Sequence, residues 1–86
     1  MKLKNIDIKN KVGSIIINQL SLSEEELDWD KVLERLHEEY NLLVRLIELE
    51  KLLSDSFGIN VPLIENIDPT FHTPNDIVDF IENLLK

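Results

Sequence analysis

Cysteine is absent from this 86-residue chain. Without it there is no disulfide framework, no thiolate metal site and no thiol nucleophile, and the redox compartment is left open. Glycine occurs twice and proline three times. Sandwiches and barrels need a turn signal every few residues, so this scarcity argues against an all-β chain and for helices. Aromatic residues are few, at 6%, and no basic patch is interleaved with them. A glycine-rich phosphate loop is missing as well, so the usual signatures of nucleic-acid and nucleotide recognition are lacking. No apolar run approaches the length of a membrane span. The lysine-rich opening MKLKNIDIKNKVG is broken by polar residues where a signal peptide needs an apolar core. The expectation is a cytoplasmic protein with no membrane insertion. Residues 1–86 should form a single domain, long enough for one core and too short to enclose a large catalytic cavity.

What charge there is lies unevenly. The formal net charge is −8, yet Lys2, Lys4, Lys9 and Lys11 against Asp7 give the first twelve residues a balance of +3. The remainder sums to −11, from sixteen acids and five bases. Such a surface repels nucleic-acid phosphate and anionic lipid and favours protein partners with basic patches. Plain solubility is the bland alternative.

Ile8, Val12, Ile15, Ile16 and Leu20 recur at helical spacing and predict a first helix over residues 6–20, weakened at Gly13 by about 1 kcal/mol relative to Ala. Ser23 followed by Glu26 is a capping-box pattern from which a new helical segment can start. From Glu24 to Leu53 there is neither Pro nor Gly. Trp29, Val32, Leu33, Leu36, Tyr40, Leu43 and Ile47 make one helical stripe there, and Leu42, Leu46, Leu49, Leu53 and Phe57 make another on a different face. A straight helix buries both only by being wrapped all round, so a break or bend is expected near Asn41. Gly58 is a natural stop. INVPLIENIDPT then reads as a connector with at most a short turn between Pro62 and Asp68. Thr73 as N-cap, Pro74 at the first helical position and Asp76 at the third open a final helix whose apolar side is Ile77, Val78, Phe80, Ile81, Leu84 and Leu85.

The run LIELEKLLSDSFGINVP followed by IDPTFHTPNDIVDFIENLL resembles the second half of an acyl carrier protein, and VGSIIINQLSLSEEEL is similar to that family's first helix and following loop. The residues that carry the likeness are Ile47, Glu48, Leu49, Leu53, Phe57, Gly58, Ile59 and Pro62, then Thr73, Asp76, Ile77, Val78, Phe80 and Ile81. The resemblance implies an all-α fold, a small four-helix bundle of acyl-carrier-protein type. WDKVLERLHEEY, helical in pattern and without the family's glycine, would add an extra helical segment to the loop between the first two helices.

The family's chemistry depends on an Asp-Ser-Leu at the start of its second helix, where the serine takes a 4'-phosphopantetheine arm. Aligned on Phe57-Gly58-Ile59, that motif falls on Leu42-Leu43-Val44, with Leu43 in the serine's place. Residues 24–53 contain no Ser, Thr or Cys in any register. The arm is therefore expected to be absent, with no other cofactor and no catalytic residue. Asp55-Ser56-Phe57 imitates the motif, but Gly58 and Pro62 follow where the family has a full helix, so Ser56 reads as a polar residue in a last helical turn. Acids along the family's second helix meet basic patches on partner enzymes. Glu48 matches that role, joined by Glu50 and Asp55, while Arg45 and Lys51 interrupt the face.

A Glu34, His37 and Glu38 cluster has helical spacing for a metal, but a solvated helix face is the simpler reading and no metal site is assigned. Trp29 reads as core before it reads as an exposed partner anchor. The first functional expectation is a non-catalytic, monomeric protein-interaction module, tied by resemblance to fatty-acid or polyketide synthesis enzymes. Two alternatives stand beside it. One is a working acyl carrier modified at Ser56. The other is a helical oligomerisation protein in which residues 24–56 form one rod with Trp29, Leu33, Leu36, Tyr40, Leu43 and Ile47 as its seam.

Overall fold

The computed structural model describes residues 4–86, so Lys2 of the basic opening segment lies outside the described residues. Those residues form an all-helical protein: α1 (Asn5–Leu20), α2 (Leu33–Leu36), a 3-10 turn (Glu38–Asn41), α3 (Leu43–Phe57), α4 (Leu63–Asn66) and α5 (Pro74–Leu84). No helix among the described residues is long and apolar enough to cross a membrane.

Helix α1 forms where the periodicity predicts it. Ile8, Val12, Ile16 and Leu20 are its buried stripe, and it ends at Ser21, whose left-handed backbone (φ 56°) turns its N–H back to the Ile17 carbonyl. Ser23 and Glu26 do exchange both capping-box bonds, Ser23 N–H to Glu26 Oε1 at 2.9 Å and Glu26 N–H to Ser23 Oγ at 3.3 Å. No helix grows from them. Leu27 is drawn into the core, and the Asp28 carboxylate accepts the Asp30 N–H at 3.0 Å, a local bond that competes with the helical ladder.

The single rod over residues 24–56 is overturned. His37 (φ −157°, ψ 132°) and Leu42 (φ −91°, ψ 125°) are both extended, so the helical pattern of WDKVLERLHEEY yields one α turn and one 3-10 turn. Tertiary bonds outcompete continuation. The Leu33 N–H donates to the His72 carbonyl at 2.9 Å and the Glu34 N–H to the Pro69 carbonyl at 3.0 Å, while His37 Nδ1 accepts the Glu39 N–H at 3.1 Å. The seam is split accordingly. Leu33 and Tyr40 are fully buried, whereas Leu43 and Ile47 stand 59% and 48% exposed. The break expected near Asn41 falls at Leu42, where the chain changes the side it buries.

Gly58 stops α3 in the left-handed region (φ 67°), which only glycine adopts freely, and its N–H returns to Ser54. The Ser54 hydroxyl then accepts the Val61 N–H at 3.0 Å and steers the connector into the one-turn α4. Thr73 opens α5 with a complete capping box: its Oγ1 accepts the Asp76 N–H at 3.2 Å, and Asp76 Oδ2 accepts the Thr73 N–H at 2.9 Å. Helix α1 packs on α5 and α3, and α4 packs on α3. A single apolar cluster runs through them, including Ile8, Val12, Leu49, Leu53, Leu63, Ile77 and Ile81. Gly13 has a packing reason. A Cβ there would meet Trp29 Cζ2 at 3.0 Å, so the half-buried indole lies directly on the backbone of α1.

Candidate functional site

The first turn of α3 presents its apolar residues to solvent. Leu42, Leu43 and Val44 are 52%, 59% and 64% exposed, and Ile47 extends the patch one turn further. Their helical neighbours Leu46, Leu49 and Leu53 supply the buried side, so the exposed group is not needed to anchor the helix. Scattered exposed leucines are ordinary, whereas consecutive ones on a helix terminus form a contiguous patch. No side chain caps this terminus, where Leu42 stands as N-cap.

Beneath the patch a polar network fastens α3 to the rest of the molecule. Arg45 donates from Nε and Nη2 to Glu39 Oε1 at 2.9 and 2.8 Å and from Nη1 to Glu48 Oε1 at 3.2 Å. Gln19, in the last turn of α1, donates from Nε2 to the Arg45 carbonyl at 2.9 Å and to Glu48 Oε1 at 3.0 Å. Its Oε1 accepts the Tyr40 hydroxyl at 2.8 Å. Hydrogen bonding and charge from Glu39, and then from Glu48, push the Arg45 guanidinium above its usual range. Burial, with Glu48 adding to it, pushes the Tyr40 phenol upward. Tyr40 is thereby held neutral, covered and hydrogen-bonded, in no position to act as the hydroxyl nucleophile that Leu43 lacks.

The three acids expected to dock a partner are not gathered into one surface. Glu48 is engaged with Gln19 and Arg45, and Glu50 accepts the Ile64 N–H at 3.2 Å at the start of α4. Asp55 is exposed. At about 100° per residue, Asp55 falls on the Glu48 side two turns on, and Glu50 falls on the other side of the helix. Arg45, expected to interrupt an acidic face, has its charge taken up by Glu39 and Glu48. Ser56 is exposed in the last turn of α3, its carbonyl accepting Lys11 Nζ at 3.3 Å, and the helix ends one residue later. His37 spends Nδ1 on the Glu39 N–H, and no group of three metal-holding side chains converges among the described residues.

Sequence reasoning missed Gln19. Its only signal is a lone amide on the flank of an apolar helix, a common sight with no chemistry attached. Comparison of the chain with family models, with curated proteins and with solved structures returns no match.

Proposed function

We propose that this chain is a non-catalytic protein-interaction module with a bundle of acyl-carrier-protein type that carries no 4'-phosphopantetheine arm. On this reading α1, α3, α4 and α5 are the four helices of the bundle, and α2 with the 3-10 turn is the added segment between the first two. Three features support the comparison. Helix α3 starts at Leu43, the residue aligned with the family's serine; Gly58 ends it; and the Thr73 capping box opens α5.

The observation that carries the reading is the exposure of Leu42, Leu43 and Val44 at the head of α3. Where the family has a reactive serine, this chain offers apolar contact area on a protein of net charge −8. A patch of that kind suits a partner surface with apolar side chains ringed by Arg and Lys. By resemblance, enzymes of fatty-acid or polyketide synthesis are the candidates. The net negative charge of the chain steers encounter, while the apolar residues supply the adhesion.

The test is in-cell photo-crosslinking from position 42, with position 83 on α5 as the comparison site. The expected result is capture of a protein with a basic surface from position 42 alone, lost in the Leu43→Asp, Val44→Asp double variant. Identical capture from both positions would sink the proposal.

A further inference from the structure

Between the 3-10 turn and α3 the chain changes direction at one residue. Leu42 is extended (φ −91°, ψ 125°), while Glu38–Asn41 before it and Leu43–Phe57 after it are helical. Nothing local demands that break. Residues 24–53 contain neither Pro nor Gly, so no ring, missing N–H or left-handed glycine stops a helix there. The start of α3 is also weakly made. Leu42 offers no side-chain acceptor, the first turn holds no acid, and the Leu43 and Val44 N–H groups meet no acceptor among the described residues. Turning the Leu42 backbone to helical values would hand those N–H groups to the Glu39 and Tyr40 carbonyls and fuse residues 38–57 into one helix. The single chain resists this, because Gln19 ties Arg45 and Glu48 to α1 and Arg45 reaches back across Leu42 to Glu39.

We propose that two copies of this chain exchange α3, α4 and α5 about Leu42, with residues 38–57 of each copy becoming one continuous helix that crosses to the other. The surface that receives the exchanged half is already complementary. It is the packing of α1 on α3 and α5 seen in the single chain, with the same residues supplied by the second copy. The ties from Gln19 and Glu39 are then remade between copies rather than lost, which is why exchange is a low-cost route to a dimer. What is new lies at the hinge. Leu43, Val44 and Ile47 are exposed beside it in the single chain, and two fused helices running side by side cover them. Charge works the other way. Each copy carries −8, so salt that screens the repulsion favours the pair.

Leu42→Ala and Leu42→Ser remove the same half-exposed leucine and differ at the hinge: alanine favours a helix interior, and serine caps a helix start and so favours the break. Refolded from urea at high chain concentration and high salt, the unaltered chain and Leu42→Ala should yield a dimer by light scattering that returns to monomer slowly on dilution. Leu42→Ser should associate roughly ten- to thirtyfold more weakly, since each pair has two hinges. The chain lacks cysteine, so a nitroxide on Ser56→Cys reports cleanly. In a pair of one such chain and one isotope-labelled chain, broadening should fall on amides around Lys11, whose ammonium meets the Ser56 carbonyl in the single chain. Monomer alone after such refolding, broadening centred on Leu42–Ile47, or equal dimer from the alanine and serine variants would each overturn the proposal.

Discussion

Tyr40 donates its hydroxyl proton to Oε1 of Gln19 across 2.8 Å, and that bond joins the turn before α3 to the last turn of α1. Gln19 in turn reaches Glu48 and the Arg45 carbonyl, so one amide ties three segments together. Replacing Tyr40 by Phe keeps the ring that fills the core and removes only the hydroxyl. The partly buried Gln19 oxygen then loses its donor, and the expected cost is about 1 kcal/mol in urea unfolding. A Tyr40→Leu variant, which also opens space, should cost more.

The same burial makes stability sensitive to alkali. Tyr40 titrates above its ordinary value in the folded chain, because burial first and Glu48 second disfavour the phenolate. The unfolded chain gives up this proton earlier, so it binds fewer protons than the native chain above pH ~10. Stability is therefore fully present below about pH 10 and falls as pH rises beyond it. Tyr40 is the only tyrosine, so phenolate absorbance should appear together with unfolding rather than before it. Tyr40→Phe should flatten this alkaline slope.

The helices α1 and α5 and the stop at Gly58 were legible because local chemistry and tertiary packing agree there: an apolar stripe, a capping box, a left-handed glycine. The break near Asn41 was legible too, but the path of residues 22–40 was not. Ser23 and Glu26 make the bonds of a helix start, yet Leu27 and Asp28 redirect the chain, and Leu33 and Glu34 donate to the loop before α5. Those long-range acceptors cannot be read from periodicity. The candidate patch was half visible. The absence of a nucleophile at Leu43 follows from composition, whereas its exposure follows from which face Leu46 and Leu49 bury. The spread of Glu48, Glu50 and Asp55 around α3 follows from helical spacing, whereas the internal partners of Glu48 and Glu50 do not.

Gly13→Ala sets two effects of similar size against each other. Alanine raises helix propensity by about 1 kcal/mol, but its Cβ would stand 3.0 and 3.3 Å from two indole carbons, and displacing packed groups costs about 1–3 kcal/mol. The indole is half-buried and can shift outward, so the lower part of that range applies. Stability should change by less than about 1 kcal/mol while Trp29 emission moves to the red. Gly13→Val adds β-branching and bulk and should be clearly destabilising.

Thr73→Ala removes the hydroxyl that accepts the Asp76 N–H and leaves one arm of the capping box. The expected loss is about 1 kcal/mol, read from urea unfolding. Thr73→Ser should be near neutral, since it keeps the acceptor. Hydrogen exchange should locate the weakening in the first turn of α5, because Asn75 also binds Trp29 and Asp30 from that turn and will hold the rest.

The triple change Leu42→Asp, Leu43→Ser, Val44→Leu writes the carrier-family motif onto the head of α3. Folding should tolerate it. All three side chains are more than half exposed, and an aspartate N-cap supplies an acceptor that Leu42 lacks, worth about 1 kcal/mol at a helix start. Co-expressed with a broad-specificity phosphopantetheinyl transferase, the triple variant should gain one phosphopantetheine by intact mass, and the unaltered chain should gain none. Adding Ser56→Ala to the variant should change nothing, because Ser56 sits where α3 ends rather than where it begins. A folded but unmodified triple variant would mean that the register taken from Phe57-Gly58 is wrong. Mass gained by the unaltered chain and lost with Ser56→Ala would make it a working carrier instead.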